Sequence, residues 1–442
     1  MTDDSPDALP NPVEEGVVVP VTASRRSVLG LSALGAAGVL VGGAVGRTTA
    51  AAAGPLPIGG SGNQSASGDV HPFFAEHQSG ITSAVQDHLH FAAFDLSDRT
   101  TREDLIELLQ EWSYAASRMT QGLDVSASGA VDGSPDAPPD DTGEALGLTA
   151  SHLTLTFGFG STLFDLDGED RFGIADQRPE GLAKLPPFLN DALKTEWSHG
   201  DLCVQACADD PQVAVHAIRN LTRIAFGKAH VRWSQMGFGR TSKTSSDQAT
   251  PRNLFGFKDG TANVLSNDAD ALAASIWVSP SDSPGWMNGG SYLVSRKIEM
   301  LLEPWDRAPL AEQETIVGRD KRVGAPLSGG NEFTEPDFDA EVDGMPVIDV
   351  ASHVRLAHPD NNAGKQMLRR GYNYVDGTNP LGRLDAGLFF LAYVRDIEQF
   401  VTVQKSLSTD LLNEYIRHIG SATFAIPPGA SVGGYVGETL FG

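Results

Sequence analysis

The spacing of hydrophobic residues predicts helices and strands in an order that occurs twice along the chain. In the first half, apolar residues three and four positions apart predict helices at 101–119, with a capping-box pattern from Thr101 to Asp104, and at 211–227. Alternating or continuous apolar runs predict four strands, at residues 88–96, 153–159, 201–208 and 231–238. Residues 71–245 are therefore predicted to follow the β-α-β and β-α-β order of a ferredoxin-like sheet.

The second half, residues 246–442, contains a similar succession of elements. Strands are predicted at 290–298, 353–357, 367–374 and 387–394. Helices are predicted at 298–305, 310–318, 397–406 and 410–418. Two halves of like order indicate an α+β protein with an internal duplication. We therefore expect two ferredoxin-like domains with antiparallel sheets and peripheral helices.

The first 53 residues have the pattern of an export signal. Arg25 and Arg26 form a twin-arginine pair, an uncharged run rich in Gly, Ala and Leu follows at 28–46, and small residues occupy 48–53. Such a segment is removed after export, although its acidic start is unusual and a short membrane anchor is the alternative. We expect the twin-arginine machinery to deliver the protein to the periplasm, cell envelope or exterior. Residues 54–70, rich in Gly, Ser and Pro, are predicted to be a flexible linker.

Charge and cysteine content narrow the classes of function. The formal net charge of −25 argues against nucleic acid as a partner, because phosphates would be repelled. On a strand, Cys203 and Cys207 would lie roughly 13 Å apart, too far for a disulfide, so both are predicted to be buried apolar residues. The chain has no C-x-x-C-H motif for covalent haem. His88 and His90 share a strand face without a third metal ligand at suitable spacing, and we interpret both as structural or surface residues.

The stretch 252–263, R-N-L-F-G-F-K-D-G-T-A-N, places one carboxylate, Asp259, on a glycine-rich turn. Gly256 and Gly260 allow positive φ or a close backbone approach, and the aromatic residues beside Gly256 give the turn an apolar side. Such a turn could press Asp259 against a flat ligand. The alternative is an ordinary Asp-Gly turn between two strands.

Two further residues complete a set that haem chemistry needs. His353 alternates with Arg355 on one face of the predicted strand at 353–357, and Arg369 follows sixteen positions after His353. One imidazole, a carboxylate and a cationic group beside an apolar wall would supply an iron ligand, a proton acceptor and charge stabilisation. The alternative is that His353 is an ordinary core or surface histidine.

Together, Asp259 in G-F-K-D-G-T, His353 in S-H-V-R-L-A and Arg369 in L-R-R-G-Y-N-Y resemble the dye-decolourising peroxidases. The likeness covers about residues 71–442 and extends to the exported branch that includes the deferrochelatase/peroxidase of bacterial iron uptake. It implies a dimeric α+β barrel-like fold with one non-covalent haem b in the second domain. Expected substrates are hydrogen peroxide and dyes, phenolics or similar one-electron donors. The alternatives are a deferrochelatase or haem-handling protein, and a related fold that has lost its haem.

The resemblance also implies roles for individual residues. Matching positions give the proximal iron ligand at His353, the distal acid–base group at Asp259, the distal arginine at Arg369, backbone against the haem at Gly260, Thr261 and Ala262, and a propionate contact at Arg355. Family members often have Asn where this chain has His358, which makes His358 a rival ligand. We favour His353 because it holds the motif position, whereas His358 lies in a turn.

Several expectations follow from that assignment. Asp259 should move the peroxide proton while Arg369 stabilises the developing negative charge. Asp396 is a candidate acidic partner for the ligand imidazole, and an unpaired buried Asp259 would have a raised pKa and give an acidic activity optimum. The apolar residues Phe389, Phe390 and Leu391 are expected to line the haem cavity, with plain core packing as the alternative. Large dyes would give electrons through surface Trp or Tyr, none of which is assigned. The oligomeric state is open, and a homo-oligomer is one possibility.

Overall fold

The computed structural model describes residues 69–182, 184–282 and 284–442. The predicted signal peptide and nearly all of the predicted linker lie outside the described residues. Within the part described, none of the helices combines the length and apolar character needed to cross a membrane.

The described chain contains eleven strands and nine α-helices. The strands are β1 (His88–Leu96), β2 (Thr154–Gly160), β3 (Leu202–Ala208), β4 (Ala229–Arg240), β5 (Ser291–Met300), β6 (Glu341–Val342), β7 (Met345–Pro346), β8 (Leu368–Arg369), β9 (Tyr372–Thr378), β10 (Leu384–Val394) and β11 (Ile416–Ile426). The α-helices are α1 (Arg102–Met119), α2 (Ser161–Phe164), α3 (Pro211–Ile224), α4 (Ala269–Ser275), α5 (Leu302–Trp305), α6 (Leu310–Val317), α7 (His353–Ala357), α8 (Ile397–Ser406) and α9 (Glu438–Phe441).

Eight strands form a closed antiparallel barrel in the order β5-β11-β2-β3-β1-β4-β9-β10, with β10 returning to β5 and the short β8 added beside β10. The first half contributes the order β4-β1-β3-β2, and the second contributes β11-β5-β10-β9. If the four strands of each half are numbered in sequence, both orders are 4-1-3-2, which is the ferredoxin-like arrangement. The predicted α+β class with two ferredoxin-like halves is confirmed, and the equal strand orders support the duplication.

Two short seams join the halves into one barrel. At one seam, β4 pairs with β9 through Phe238–Asn373 and Arg240–Tyr372. At the other, β11 pairs with β2 through Phe424–Gly160 and Ala425–Phe159. These two seams, together with the pairing of β10 with β5, close the sheet into a barrel.

Apolar side chains fill both faces of the barrel wall. Inside it, Phe91 packs against Trp233, Phe389 and Phe424, with ring centroids 5.2 to 6.1 Å apart. Outside the first half, α1 and α3 cover the sheet, and Trp112 of α1 packs on Phe94 of β1. Cys203 and Cys207 are buried with the interior cluster and unbridged, as predicted.

Most predicted elements of the first half occur with boundaries shifted by only a few residues. The α1 helix begins after Thr101, whose side chain accepts from the Asp104 backbone N–H while the Asp104 carboxylate accepts from Thr101, which confirms the capping box. Here the local signal and the tertiary packing agree.

Three predictions in the second half were wrong. Residues 353–357 form helix α7, not a strand, and the predicted strand at 367–374 is broken at 370–371 into β8 and β9. The predicted helix at 410–418 is one 3-10 turn, Leu411–Glu414, that leads into β11. Tertiary pairing overrides the local pattern there, because β11 is the fourth strand of its half and pairs along its length with β5.

The half-buried His90 on β1 gives a prediction about acid stability. Burial lowers the pKa of His90 from 6.5 to about 4, and its Nδ1 has no hydrogen-bond partner among the described residues. Below pH 6.5 the unfolded chain binds a proton that the folded protein does not bind, so stability decreases as pH falls towards 4. Denaturant titrations across this window should show a shallower loss in His90→Gln than in the parent protein. Equal slopes would contradict the assignment.

Candidate functional site

The turn that carries Asp259 is a tight loop in the segment between β4 and α4. The backbones of Arg252 and Lys258 form an isolated antiparallel β-bridge across it, and the Asp259 N–H donates to the Pro251 carbonyl at 3.0 Å. Phe255 and Phe257 are both buried, and their rings lie 4.3 and 5.9 Å from the ring of Trp305. The two phenylalanines therefore form the predicted apolar side of the turn and fix it against Trp305.

Both glycines of this turn adopt conformations that other residues rarely adopt. Gly256 has φ +82° and Gly260 has φ +87°. A Cβ on Gly260 would lie 2.8 Å from the Ser242 Cα, a backbone atom that cannot swing aside. Glycine is therefore required at 260 for conformation and for space, as the sequence suggested.

Asp259 is paired with Arg369. The Arg369 Nη1 donates to Asp259 Oδ1 at 2.7 Å, and the Asn253 Nδ2 donates to Asp259 Oδ2 at 3.3 Å. The side chains of Asp259 and Arg369 are 16% and 27% exposed, so the pair lies in a partly enclosed space. The expectation of an unpaired Asp259 was wrong, and with it the stated reason for an acidic activity optimum.

Adjacent arginines go to opposite sides of the chain. Arg369 reaches the Asp259 turn, whereas Arg370 is fully buried and donates to the Ser83 carbonyl and to Gln86 in the first half of the chain. Arg370 thus binds the two halves together, while Arg369 is left for the site.

His353 begins helix α7 and is held by a carboxylate. Its Nδ1 lies 2.6 Å from Asp410 Oδ2, and Asp410 Oδ1 accepts from the Leu412 N–H at 2.8 Å. The Asp410 side chain is only 2% exposed, so this carboxylate cannot turn away. With Nδ1 donating to Asp410, the free lone pair is on Nε2, which has no hydrogen bond to any described residue. An imidazole with this tautomer is suited to bind a metal through Nε2.

Charges on both sides act on the His353 ring. Burial alone lowers the pKa of His353, but the charge and hydrogen bond of Asp410 outweigh it and raise the pKa above its ordinary value. Asp259 raises this pKa further and Arg369 lowers it, so the imidazole and the Asp259–Arg369 pair are within electrostatic range of each other. Although it is deep in the protein, the His353 side chain is 36% exposed, which indicates that it faces an internal space.

Asp396 is not the partner of His353, contrary to the expectation. Its side chain caps helix α8, accepting from the Glu398 N–H at 2.9 Å within a capping box with Gln399. The sequence prediction missed Asp410 because its only local signal is that of a helix cap, and nothing local indicates a histidine 57 positions away.

The rival ligand His358 has both ring nitrogens engaged. Its Nε2 lies 2.8 Å from Glu335 Oε1, and its Nδ1 accepts from the Asp360 N–H at 3.3 Å. The geometry therefore favours His353 over His358 as a ligand.

Arg355 lies apart from His353 because the segment is helical. Positions two apart share a strand face but lie on different sides of a helix. The Arg355 Nη1 donates to the carbonyl of Phe338 at 2.8 Å, and its guanidinium lies over the Phe338 ring. Its propionate role stays a prediction. The same holds for the half-buried Thr261 and exposed Ala262.

The three residues of β10 that were expected to line the haem cavity divide between the two sides of the barrel wall. Phe389 and Leu391 belong to the buried cluster inside the barrel. Phe390 faces outwards and packs on Phe400 of α8, 6.1 Å away. Phe389 and Leu391 thus follow the alternative of core packing, and only Phe390 is on the side of the barrel wall covered by α8.

These residues fit a haem site. The His353 imidazole has the donor atom that iron takes, an acidic partner and an open face, and a carboxylate–arginine pair lies within its electrostatic range. A glycine turn braced on Trp305 supplies close backbone. This set has the parts of a haem peroxidase site: an imidazole that would hold the iron, a carboxylate that could move a proton and an arginine that could stabilise negative charge.

Comparison with known families agrees. The profile described as "Dyp-type peroxidase, N-terminal" matches residues 78–239, and that described as "Dyp-type peroxidase, C-terminal" matches residues 250–431. The chain belongs to the Dyp-type peroxidases, a family of haem enzymes, which confirms the predicted enzyme class and cofactor.

Individual relatives are similar over most of their length. A deferrochelatase from Escherichia coli O6:K15:H31 (strain 536 / UPEC) is 38% identical over 97% of this chain and 98% of its own. An oxyferrous complex of DtpA from Streptomyces lividans has 40% identity and a TM-score of 0.76, covering 84% of this chain and 98% of that one. A DyP-type peroxidase from Cellulomonas bogoriensis has 39% identity and a TM-score of 0.74, covering 84% and 98%.

The His353–Asp410 contact gives a testable prediction. In Asp410→Asn, Oδ1 still accepts from the Leu412 N–H, but an amide N–H2 replaces the acceptor for His353 Nδ1. Haem titration of the haem-free protein should show affinity reduced about 10–100-fold, with a more positive reduction potential in the loaded protein.

Asp396→Asn is the matched control for this experiment, because it makes the same chemical change at a helix cap where Asn is also favoured. It should leave haem affinity and reduction potential unchanged. Equal effects of the two substitutions would show that Asp410 has no special relation to the ligand.

Proposed function

We propose that this chain reduces hydrogen peroxide with Asp259 and Arg369 as the distal pair and His353 as the proximal iron ligand. The observation that carries the proposal is the arrangement of His353, tied by Nδ1 to Asp410, within electrostatic range of the Asp259–Arg369 ion pair. The second substrates are dyes, phenolics or similar one-electron donors.

The proximal side is built to keep a basic Nε2 available. Asp410 accepts the Nδ1 proton and is itself held by the Leu412 N–H, so His353 keeps one tautomer and one orientation. A carboxylate behind the imidazole makes the ligand more electron-donating, which favours cleavage of the O–O bond. When bound, haem supplies the iron at which peroxide is reduced and the oxidising equivalents that pass to the donors.

On the distal side, Asp259 is the proton carrier. In the ion pair its oxygens accept from Arg369 Nη1 and Asn253 Nδ2, so the carboxylate is oriented before substrate arrives. With haem bound, Asp259 would take a proton from one oxygen of hydrogen peroxide and return it to the other, so that the second oxygen could leave as water. The Arg369 guanidinium stabilises the negative charge that develops during this transfer.

Replacing Asp259 by Asn tests this role. The amide retains the size of the side chain but cannot take a proton, so haem should remain bound while the reaction with peroxide slows by roughly 10²–10⁴-fold. Stopped-flow absorption after one equivalent of peroxide measures this step. Asp360→Asn, at a side chain that is 80% exposed, is the control and should behave as the parent protein. An unchanged rate in Asp259→Asn would remove Asp259 from the mechanism.

A second candidate function is release of iron from haem, favoured by the similarity to proteins named deferrochelatase. The parent protein tests this function. Incubation of the protein with haem and a reductant, without peroxide, should yield chelatable iron and an intact tetrapyrrole. Recovery of all of the iron as haem would exclude iron release and leave peroxide reduction as the proposed function.

We also propose export by the twin-arginine route to the periplasm, cell envelope or exterior, supported by Arg25 and Arg26 before the uncharged run 28–46. Changing both arginines to lysine should keep the protein inside the cytoplasm with its leader uncleaved, as judged by fractionation and intact mass. Continued export of that variant would exclude the route.

A further inference from the structure

One buried asparagine connects the two sides of the distal pair. Asn263 is 9% exposed, and its side chain makes three hydrogen bonds to backbone groups. Its Oδ1 accepts from the Arg369 N–H at 2.7 Å, and its Nδ2 donates to the carbonyls of Arg369 at 2.9 Å and Lys243 at 2.8 Å. The side chain thus joins three chain segments that are distant in sequence.

These contacts bind the Arg369 backbone as a neighbouring strand would. Strand β8 has only two residues, and Arg369 lies opposite Ala392 of β10 without using its own N–H and C=O there. Those two groups point to the other side and both pair with Asn263, while the next N–H, of Arg370, returns to Leu391 of β10. Asn263 therefore completes the hydrogen bonding of an isolated two-residue strand.

The position of Asn263 links this strand to the Asp259 turn. Asn263 follows Asp259 by four residues, and its N–H donates to the Gly260 carbonyl at 3.3 Å. Asn263 is thus tied to the Asp259 turn through its backbone N–H and to Arg369 through its side-chain amide. Without it, the N–H and C=O of Arg369 and the C=O of Lys243 would each lose a hydrogen bond in a largely buried place.

We propose that Asn263 is the positioning residue that sets the geometry between Arg369 and Asp259. It acts on Arg369 through the backbone, so its effect on chemistry exists only while the Arg369 side chain is present. The inference rests on the proposed distal role of Arg369.

A double-mutant cycle tests this dependence. In ferric, haem-loaded protein, fluoride affinity reports the distal hydrogen-bond donor without turnover, and stopped flow reports the peroxide step. Asn263→Ala should weaken fluoride binding and slow the peroxide step at least tenfold. In the Arg369→Leu background, Asn263→Ala should have no further effect on either quantity.

Asn220 provides a matched control. It is also buried, accepts from the Thr142 N–H at 3.2 Å, and donates to Thr142 Oγ1 and the His216 carbonyl at 2.8 and 3.1 Å. Asn220→Ala should lower stability but leave fluoride affinity and the peroxide step unchanged. Equal losses in the two alanine variants, or additive losses in the cycle, would overturn the inference.

Two further measurements test the inference independently of the double-mutant cycle, and the first does not require Asn263→Ala to fold. In Asn263→Asp, Oδ1 still accepts from the Arg369 N–H, but the ionised carboxylate repels the carbonyls of Arg369 and Lys243. Protonation of the carboxylate restores one donor. Fluoride affinity relative to the parent protein should therefore recover as pH falls. In haem-free protein, hydrogen exchange of the Arg369 amide should accelerate in Asn263→Ala. No recovery together with unchanged exchange would reject the inference, whereas normal behaviour of Arg369→Leu alone would reject the proposed distal role.

Discussion

The seam between β4 and β9 is the constraint on which the distal side depends. Two residue pairs join these strands, and the next contact, from the Thr241 N–H to the Gly371 carbonyl at 2.9 Å, continues the seam towards the site. The chain leaving β4 runs to the Asp259 turn, and the chain entering β9 carries Arg369. Closing the barrel therefore brings together two residues that are 110 positions apart.

The two halves share one strand order but use the space over their sheets differently. In the first half, the 18-residue helix α1 lies on the sheet and covers its outer face with side chains such as Trp112. In the second half, the α-helices of the corresponding connection between β5 and β9 are all short, and the last of them, α7, begins with His353. A long amphipathic helix covers its sheet continuously, whereas short helices joined by loops leave room for a cofactor and bring polar side chains to it. The two halves thus share a strand order, but the candidate site residues lie in the second half.

Backbone groups and amides, rather than further charges, hold the charged site residues in place. Leu412 holds Asp410 through its N–H, Asn253 holds the Asp259 carboxylate, and Asn263 holds the Arg369 backbone. Neutral donors orient a carboxylate or an arginine without adding a competing charge to a partly buried site, where uncompensated charge is costly.

The sequence by itself determined the strongly periodic elements, the glycine turn with Asp259, and the family through three short motifs, because these signals lie within a few consecutive residues. Tertiary structure alone decided that residues 353–357 are helical, that residues 416–426 form a strand, and that Asp410 rather than Asp396 meets His353. It also sent Arg369 to the site and Arg370 to the other half. Each of these outcomes depends on contacts between segments distant in sequence, which strand pairing and barrel closure create and no local pattern contains.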